Sequence, residues 1–444
     1  MEFTDLAVYV ELRYEVNCDG VCVEAGVLMP FSVKPGETGS TCMDIAVPRQ
    51  GRSYLKVYYH MRKETELVPA GTLLGFDEVL LNTEDCRNQT ALRLMEYTRA
   101  DAEKITVWET DTEVCCAGGN FTYILDKCTG LFSQLHYAGK AYLDRPMELN
   151  IWRAPTDNDY GNQGPKRLQI WKEASKDFRI AEASVRKEGK DAVLTAKYLL
   201  PAGNHYIVTY RIHPSGVVKA DFTFTPTGIK AAKTEVSEAT VTATYTPGNE
   251  NMHKVSSDLV VPRIGIRFHL PAEMNQVTYF GRGPEENYID RNAGVTVDLY
   301  KSTAEQMYYP YVRPQENGHH TDTRWLSVGK KNGKGLTIYA DQTIGFNALR
   351  NAIEDFDSEN NVNRDYQWNN RNAAELKHDV STARNIKPRQ THINDITPKN
   401  FVEVCIDMKQ MGVGGYDSWG SKPEPQYLIP ANREYKWGFT IVPM

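Results

Sequence analysis

His213-Pro214-Ser215-Gly216-Val217-Val218-Lys219-Ala220-Asp221-Phe222-Thr223-Phe224 is the stretch from which the architecture can be read. Pro214, Ser215 and Gly216 supply a turn, because proline presets φ and glycine accepts backbone angles that other residues avoid. After the turn the side chains alternate. Val218, Ala220, Phe222 and Phe224 face one way, and Val217, Lys219, Asp221 and Thr223 the other. A period of two is the signature of a strand with one face in a core.

The same grammar extends outward. From Ile105 to Phe439, short β-branched and aromatic runs alternate with Gly, Pro, Asn and Asp. Upstream, Leu6 to Val16, Tyr54 to Tyr59 and Gly75 to Leu81 read as strands, with turns at Asn17 to Gly20 and at Pro35-Gly36. One segment, Pro165 to Lys176, is predicted helical, with Leu168 and Trp171 on one side and a proline near its start. Strands and helices do not alternate, so no parallel βα barrel is encoded. The expectation is an all-β chain: a small sandwich over 1–94, a linker at 95–104 within a polar stretch that begins near Asn82, and one large sandwich over 105–444. Asn351 to Arg371 is polar and Asn-rich, and is expected to be a long surface loop.

Composition excludes several functions. With 51 Lys and Arg against 57 Asp and Glu, the net charge is -6, so neither nucleic acid nor an anionic membrane is an expected partner. No run approaches the roughly 18 apolar residues that span a bilayer. The first residues, Met1 to Asp5, carry neither a basic nor an apolar leader pattern, so no compartment can be named. They lead almost directly into a strand, and the natural chain is expected to extend upstream. The 8 cysteines show no zinc-ribbon spacing; most are expected to be buried thiols, and adjacent Cys115 and Cys116 would point to opposite faces of a strand.

Four segments combine Gly or Pro with charged and amide side chains. They are Trp152-Arg153-Ala154-Pro155-Thr156-Asp157-Asn158-Asp159; Tyr279-Phe280-Gly281-Arg282-Gly283-Pro284-Glu285-Glu286-Asn287-Tyr288, continuing to Asp290-Arg291; Pro310-Tyr311-Val312-Arg313-Pro314-Gln315-Glu316-Asn317-Gly318; and Met411-Gly412-Val413-Gly414-Gly415-Tyr416-Asp417-Ser418-Trp419-Gly420. Carboxylates, amides and arginines beside tryptophan suit a sugar: the polar groups take hydroxyls, and the indole face packs on C–H groups. The same residues also tie loops together through ion pairs and buried hydrogen bonds. Asp157-Asn158-Asp159 starts like a calcium loop, but Asn162 and Leu168 stand at its sixth and twelfth positions, where glycine and glutamate belong. His319-His320 lacks a metalloprotease pattern, and no metal site is expected. Glycoside hydrolysis needs two carboxylates across a cleft. Glu285, Glu286 and Glu316 can be nominated, yet each has an arginine near in sequence, and ion pairing is the preferred reading.

In these motifs and their order, the chain resembles the C-terminal half of glycoside hydrolase family 2 β-galactosidases. The weaker N-terminal pattern, with Asp19-Gly20 and Ala70-Gly71, is similar to the domain that precedes that half. The resemblance implies an immunoglobulin-like β-sandwich followed by a galactose-mutarotase-like β-supersandwich. It implies that both catalytic glutamates lie in an upstream barrel, so no catalytic residue is assigned here. It further implies that Trp419, on the Asp417-Ser418-Trp419 loop, reaches the barrel's sugar site, with Asn158, Asp159, Arg282 and Glu286 as further sugar-contact candidates. The family often has Asp where Tyr416 stands. The substrate implied is a terminal β-D-galactoside, bound with the missing barrel. No cofactor is implied in this chain, a divalent or monovalent cation is possible in the full-length enzyme, and the full-length form is expected to be a homo-oligomer. Two other functions are carried: an independent carbohydrate-binding module, and a sugar epimerase or lyase using one of His205, His319, His320 or His378 as acid with a glutamate base.

Overall fold

The computed structural model describes residues 4–84, 104–226, 260–357 and 392–444. The chain divides into two compact units, Met1–Leu94 with Thr296–Tyr300, and Met95–Val295 with Lys301–Met444. The sequence-predicted linker at 95–104 falls almost wholly outside the described residues, as do Cys86, His378 and most of the Asn-rich stretch that follows Asn351.

In the first unit, β1 (Val10–Cys18), β2 (Val21–Val27), β3 (Gly51–Met61) and β4 (Leu73–Glu84) form an antiparallel sheet in the order β2-β1-β3-β4. Asp19 and Gly20 join β1 to β2 with φ of 50° and 80°. Two successive positive-φ residues twist a two-residue turn to match the flanking strands, and Asp-Gly is favoured there. The strand expected from Leu6 begins only at Val10. Before it, Leu6–Tyr9 makes one helical turn, because the Asp5 carboxylate accepts from the Ala7 amide and caps it.

The second unit opens with a five-stranded sheet in chain order: β5 (Thr106–Glu109), β6 (Glu113–Ala117), β7 (Phe121–Asp126), β8 (Phe132–Tyr137) and β9 (Lys140–Ala141). A larger sheet follows, from β10 (Arg145–Asn150), β11 (Arg179–Glu188), β12 (Asp191–Leu199), β13 (His205–Ile212), β14 (Val218–Thr225), β15 (Arg263–Pro271), β16 (Gln276–Gly283), β17 (Thr296–Thr303, of which Thr296–Tyr300 belongs to the first unit), β18 (His320–Gly329), β19 (Gly335–Leu349), β20 (Phe401–Gln410) and β21 (Tyr435–Pro443). Its spine runs β10-β15-β20-β19-β21-β14-β13-β12-β11, and β18 links β19 to β16. The protein is all-β in class.

The alternation read from the sequence places the core. Val218, Ala220, Phe222 and Phe224 are all buried. Register sets Phe222 opposite Trp437 of β21, and the two rings stack at 4.3 Å. Phe132 of β8 meets Tyr210 of β13 at 4.5 Å, which seats the smaller sheet on the larger. Each such side chain contributes roughly 1.5–3 kcal/mol by leaving water.

Two local expectations change. The predicted helix over Pro165 to Lys176 is two short helices, Gly164–Arg167 and Gln169–Ala174, broken at Leu168, where φ is -106° and ψ 11°. Leu168 and Trp171 are both buried as expected, and the Trp171 indole N–H is anchored on the Val260 carbonyl at 2.8 Å. The cysteines are mostly not buried: among the described residues only Cys115, Cys116 and Cys405 are, while Cys18, Cys22, Cys42 and Cys128 reach the surface. They sit in hairpins and connections whose short elements leave little interior. Cys115 and Cys116 are covered on both faces of β6, which lets two adjacent residues both be buried.

Candidate functional site

Residues from all four sequence motifs meet in one cleft of the second unit. It encloses about 220 Å³ and is lined by Thr156, Asp157, Asn158, Tyr288, Arg291, Tyr311, Gln315, Glu316, Val413 and Ser418. Each wall has its own local cause.

The first wall is a helical turn, Asp157–Gly161. Thr156 is its N-cap: its side chain accepts from the Asp159 amide at 3.2 Å, and the Asp159 carboxylate accepts from the Thr156 amide at 3.0 Å. This reciprocal capping fixes the turn. Asp159 is buried and also takes the Arg153 guanidinium on both oxygens, at 2.9 and 3.2 Å. Arg153, likewise buried, donates to the Met411 carbonyl at 2.6 Å. One arginine therefore ties the first motif to the start of the fourth.

The second and third walls meet through Glu286. Its carboxylate accepts from the Gly318 amide at 2.6 Å, from the Tyr311 hydroxyl and from Arg291. Arg291 also donates to the Tyr311 oxygen at 3.1 Å. Burial, with Glu286 beside it, pushes the Tyr311 phenol up to about 12. Arg291 is exposed, so the cleft presents a cation at its mouth. Deeper, Glu316 is buried; burial raises its carboxyl above the ordinary range, opposed by Arg263 and Arg153. It accepts from the Asn347 amide at 3.1 Å and lies 3.9 Å from Arg263. Behind it, Arg263 grips Asp407 through two nitrogens at 2.8 and 2.6 Å, with neither side chain exposed. Burial lifts Asp407 to about 6 against that arginine.

The fourth wall is the glycine-rich loop. The Asp290 carboxylate accepts from the amides of Val413 and Gly414, at 3.1 and 2.7 Å. Asn158 holds the other end, donating to the Asp417 carbonyl at 2.9 Å and accepting from the Gly420 amide at 3.3 Å. Within the loop, one Asp417 oxygen accepts from Trp419 and Ser421, which lowers its pKa, the Trp419 amide acting first. Gly420 lies so near Gly161 that a Cβ on Gly161 would come within 2.7 Å of the Gly420 Cα and the Trp419 carbonyl oxygen. The loop is thus pinned at both ends, while Tyr416 and Trp419 are 83% and 72% exposed.

Of the sequence candidates, Asn158 and Ser418 line the cleft directly, and Asp417 and Trp419 stand beside them on the same loop. Glu286 lies behind Tyr311 and Arg291. Asp159 is engaged by Arg153, and Arg282 pairs with Asp322 at 2.6 Å and donates to the Val295 carbonyl, outside the lining. Glu285 is exposed. His319 and His320 are buried; His319 bonds the Asn347 side chain at 2.9 Å, and desolvation holds both imidazoles below their ordinary range. His205 is at the surface. Sequence reading placed Tyr288, Gln315 and Asp290 inside the motifs without singling them out. Asp290 carried a signal: an acidic residue closing a conspicuous motif, with a run of free loop amides elsewhere in need of an acceptor. Among the described residues no group of three or more His, Cys, Asp or Glu is placed to hold a metal, and no helix is long and apolar enough to cross a membrane.

Comparison with known proteins bears on this geometry. Residues 117–441 match the family described as "Beta galactosidase small chain", and residues 1–82 match "Beta-galactosidase, domain 4". Over 450 residues the chain is 27% identical to a β-galactosidase of Priestia megaterium, covering all of this chain and 37% of that protein. It is 27% identical over 458 residues to one from Actinobacillus pleuropneumoniae, again covering 37% of the relative. The chain thus spans little more than a third of the length of these relatives. Among solved structures, one titled as a galactose mutarotase related enzyme from Lactobacillus acidophilus aligns with a TM-score of 0.33 and 9% identity, covering 77% of this chain and 97% of that one.

Proposed function

This chain belongs to the β-galactosidase small-chain family over most of its length, and from that premise we propose that it is the accessory region of a retaining enzyme that hydrolyses terminal β-D-galactosides. The observation that carries the proposal is the convergence of four separate motifs on one cleft beside a pinned loop that offers Trp419 to solvent. A large exposed indole on an anchored loop is poorly explained by packing. It suits the apolar face of a sugar ring. Ser418 and Gln315 bring neutral hydrogen-bonding groups to the cleft, and Arg291 and Asp157 bring charged groups suited to sugar hydroxyls.

In this reading the two catalytic carboxylates come from a barrel elsewhere in the whole protein. Glu286 has its carboxylate filled by three donors, and Glu316 is a buried acid facing Asn347 and Arg263. Neither is offered as a nucleophile. Homo-oligomerisation and any cation requirement are likewise proposed for the whole protein.

The test is calorimetric titration of galactose and lactose into the 444-residue chain and its Trp419→Ala variant, with turnover of a nitrophenyl β-galactoside measured alongside. The accessory reading expects no turnover and no heat at millimolar sugar. Sugar binding that disappears in the variant would make the chain a carbohydrate-binding module in its own right. Rapid turnover would overturn the assignment of catalysis elsewhere.

A further inference from the structure

The sequence contains two Asn-Gly dipeptides, Asn317-Gly318 and Asn332-Gly333, and the fold treats them oppositely. Asparagine is one of the chemically labile residues. Its side-chain carbonyl carbon is open to attack by the backbone nitrogen of the next residue, and a glycine there, with no Cβ, leaves the approach unhindered. Asn317 is 2% exposed, and its reacting groups are all held. Its Oδ1 accepts from the Tyr309 amide at 3.3 Å, its Nδ2 donates to the Gln315 carbonyl at 2.9 Å, and the Gly318 nitrogen donates to the Glu286 carboxylate at 2.6 Å.

Asn332 sits instead at the tip of the hairpin that joins β18 to β19, where Lys331, Asn332, Gly333 and Lys334 are all exposed. The Gly333 nitrogen donates to the Lys330 carbonyl at 3.0 Å, and the Lys334 nitrogen donates to Asn332 Oδ1 at 3.2 Å. Both bonds lie among exposed residues, and such tips open at a free energy near zero, long before the strands below them. The Lys334 contact also folds the Asn332 side chain forward along its own backbone, so that its carbonyl carbon lies toward the nitrogen that attacks. The neighbouring Lys331 and Lys334 add positive charge, which favours the deprotonated form of that nitrogen.

We infer that Asn332 is a site of spontaneous deamidation and that the fold preserves Asn317. The Gly333 nitrogen bonds to Asn332 Cγ, the Cγ–Nδ2 bond breaks, and the proton of the attacking amide leaves with Nδ2 as ammonia. Water then opens the cyclic imide. Opening at the side-chain carbonyl gives aspartate, and opening at the main-chain carbonyl gives isoaspartate, in which the chain runs through Cγ. Either product adds one negative charge to a chain whose formal charge is -6. The inference does not depend on the sugar reading of the motif cleft.

The experiment incubates the full chain at mildly alkaline pH, both native and in urea, until the unfolded sample has converted at both dipeptides, and then weighs the peptides that span Asn317 and Asn332. Native protein is expected to exchange NH₂ for OH at Asn332 and to keep the amide at Asn317. It should gain one more acidic band on isoelectric focusing and accept methyl groups from an isoaspartate-specific methyltransferase. Asn332→Ser, which has no side-chain carbonyl, should lose both the band and the methylation. Native protein that keeps the Asn332 amide overturns the inference. Equal conversion at Asn317 in the native sample also overturns it, because the fold would then not select between the two.

Discussion

The Trp419 loop offers a quantitative test through Asn158. Asn158→Ala removes two hydrogen bonds at once, from its amide nitrogen to the Asp417 carbonyl at 2.9 Å and from the Gly420 amide to its oxygen at 3.3 Å. Each net bond is worth about 1 kcal/mol. Together they hold the loop against opening by about 2 kcal/mol, or roughly thirtyfold in the opening equilibrium at 1.4 kcal/mol per tenfold. Amide hydrogen exchange reads this directly, because the Trp419 and Gly420 amides are bonded to Asp417 and Asn158 and not to a strand. Their protection should fall about thirtyfold in the variant. Amides of β20, whose ladder lies deep in the sheet, should be unchanged. Equal losses in β20 would mean that Asn158 supports the whole unit and not the loop. Unchanged protection at Trp419 and Gly420 would mean that Asp290 and the glycine contact hold the loop without it.

Gly161→Ala should displace the Trp419 loop, since the new Cβ meets backbone at 2.7 Å and backbone cannot rotate aside; altered Trp419 quenching by acrylamide, with urea stability of the sheet nearly kept, is the expected result. Arg263→Met should cost about 3–5 kcal/mol in urea unfolding, because it strands the buried Asp407 carboxylate, whereas Arg263→Met with Asp407→Leu should recover most of that loss; equal costs would refute the pairing argument. For pH, burial keeps His319 neutral in the folded state, while unfolded histidine takes a proton below about 6.5. Its contribution is therefore complete above pH 6.5 and drains as pH falls, by at most about 1.4 kcal/mol per unit. Asp407, raised to about 6 by burial, acts in the opposite sense between its ordinary 3.8 and 6, holding its proton more tightly when folded. Comparing the urea midpoints of wild type and His319→Asn at pH 7.5 and 5.5 isolates the histidine: the variant should be flatter, and parallel curves would sink the idea.

Much of this was legible in the residues because it is local. The alternation from Val217 to Phe224 predicts which side chains enter the core, since period two is a property of one strand. The motifs marked where irregular backbone would gather. The turn at Asp157–Gly161 was not anticipated: five residues are too few to show a helical period, although Thr156 with Asp159 three positions on is a legible cap. The Arg263–Asp407 pair was beyond reach. Its members lie 144 residues apart, and only the sheet order makes β15 and β20 neighbours. Asp159 was a sugar-contact candidate through the resemblance alone, and its pairing with Arg153 could not be read from the residues because exposed and buried carboxylates share one letter.

The place of β21 has a consequence for the order of synthesis. It follows every other described strand in the chain, yet it is inserted between β19 and β14, and the two halves of the spine meet only through it. A ribosome making roughly 5–20 residues per second exposes β14 long before residues 435–443 emerge. During that interval β14 offers an unpaired edge carrying Val218, Phe222 and Phe224, a template for any neighbouring nascent chain. A product that lacks those nine residues would retain most of the fold's hydrophobic inventory and lose the strand that joins β19 to β14.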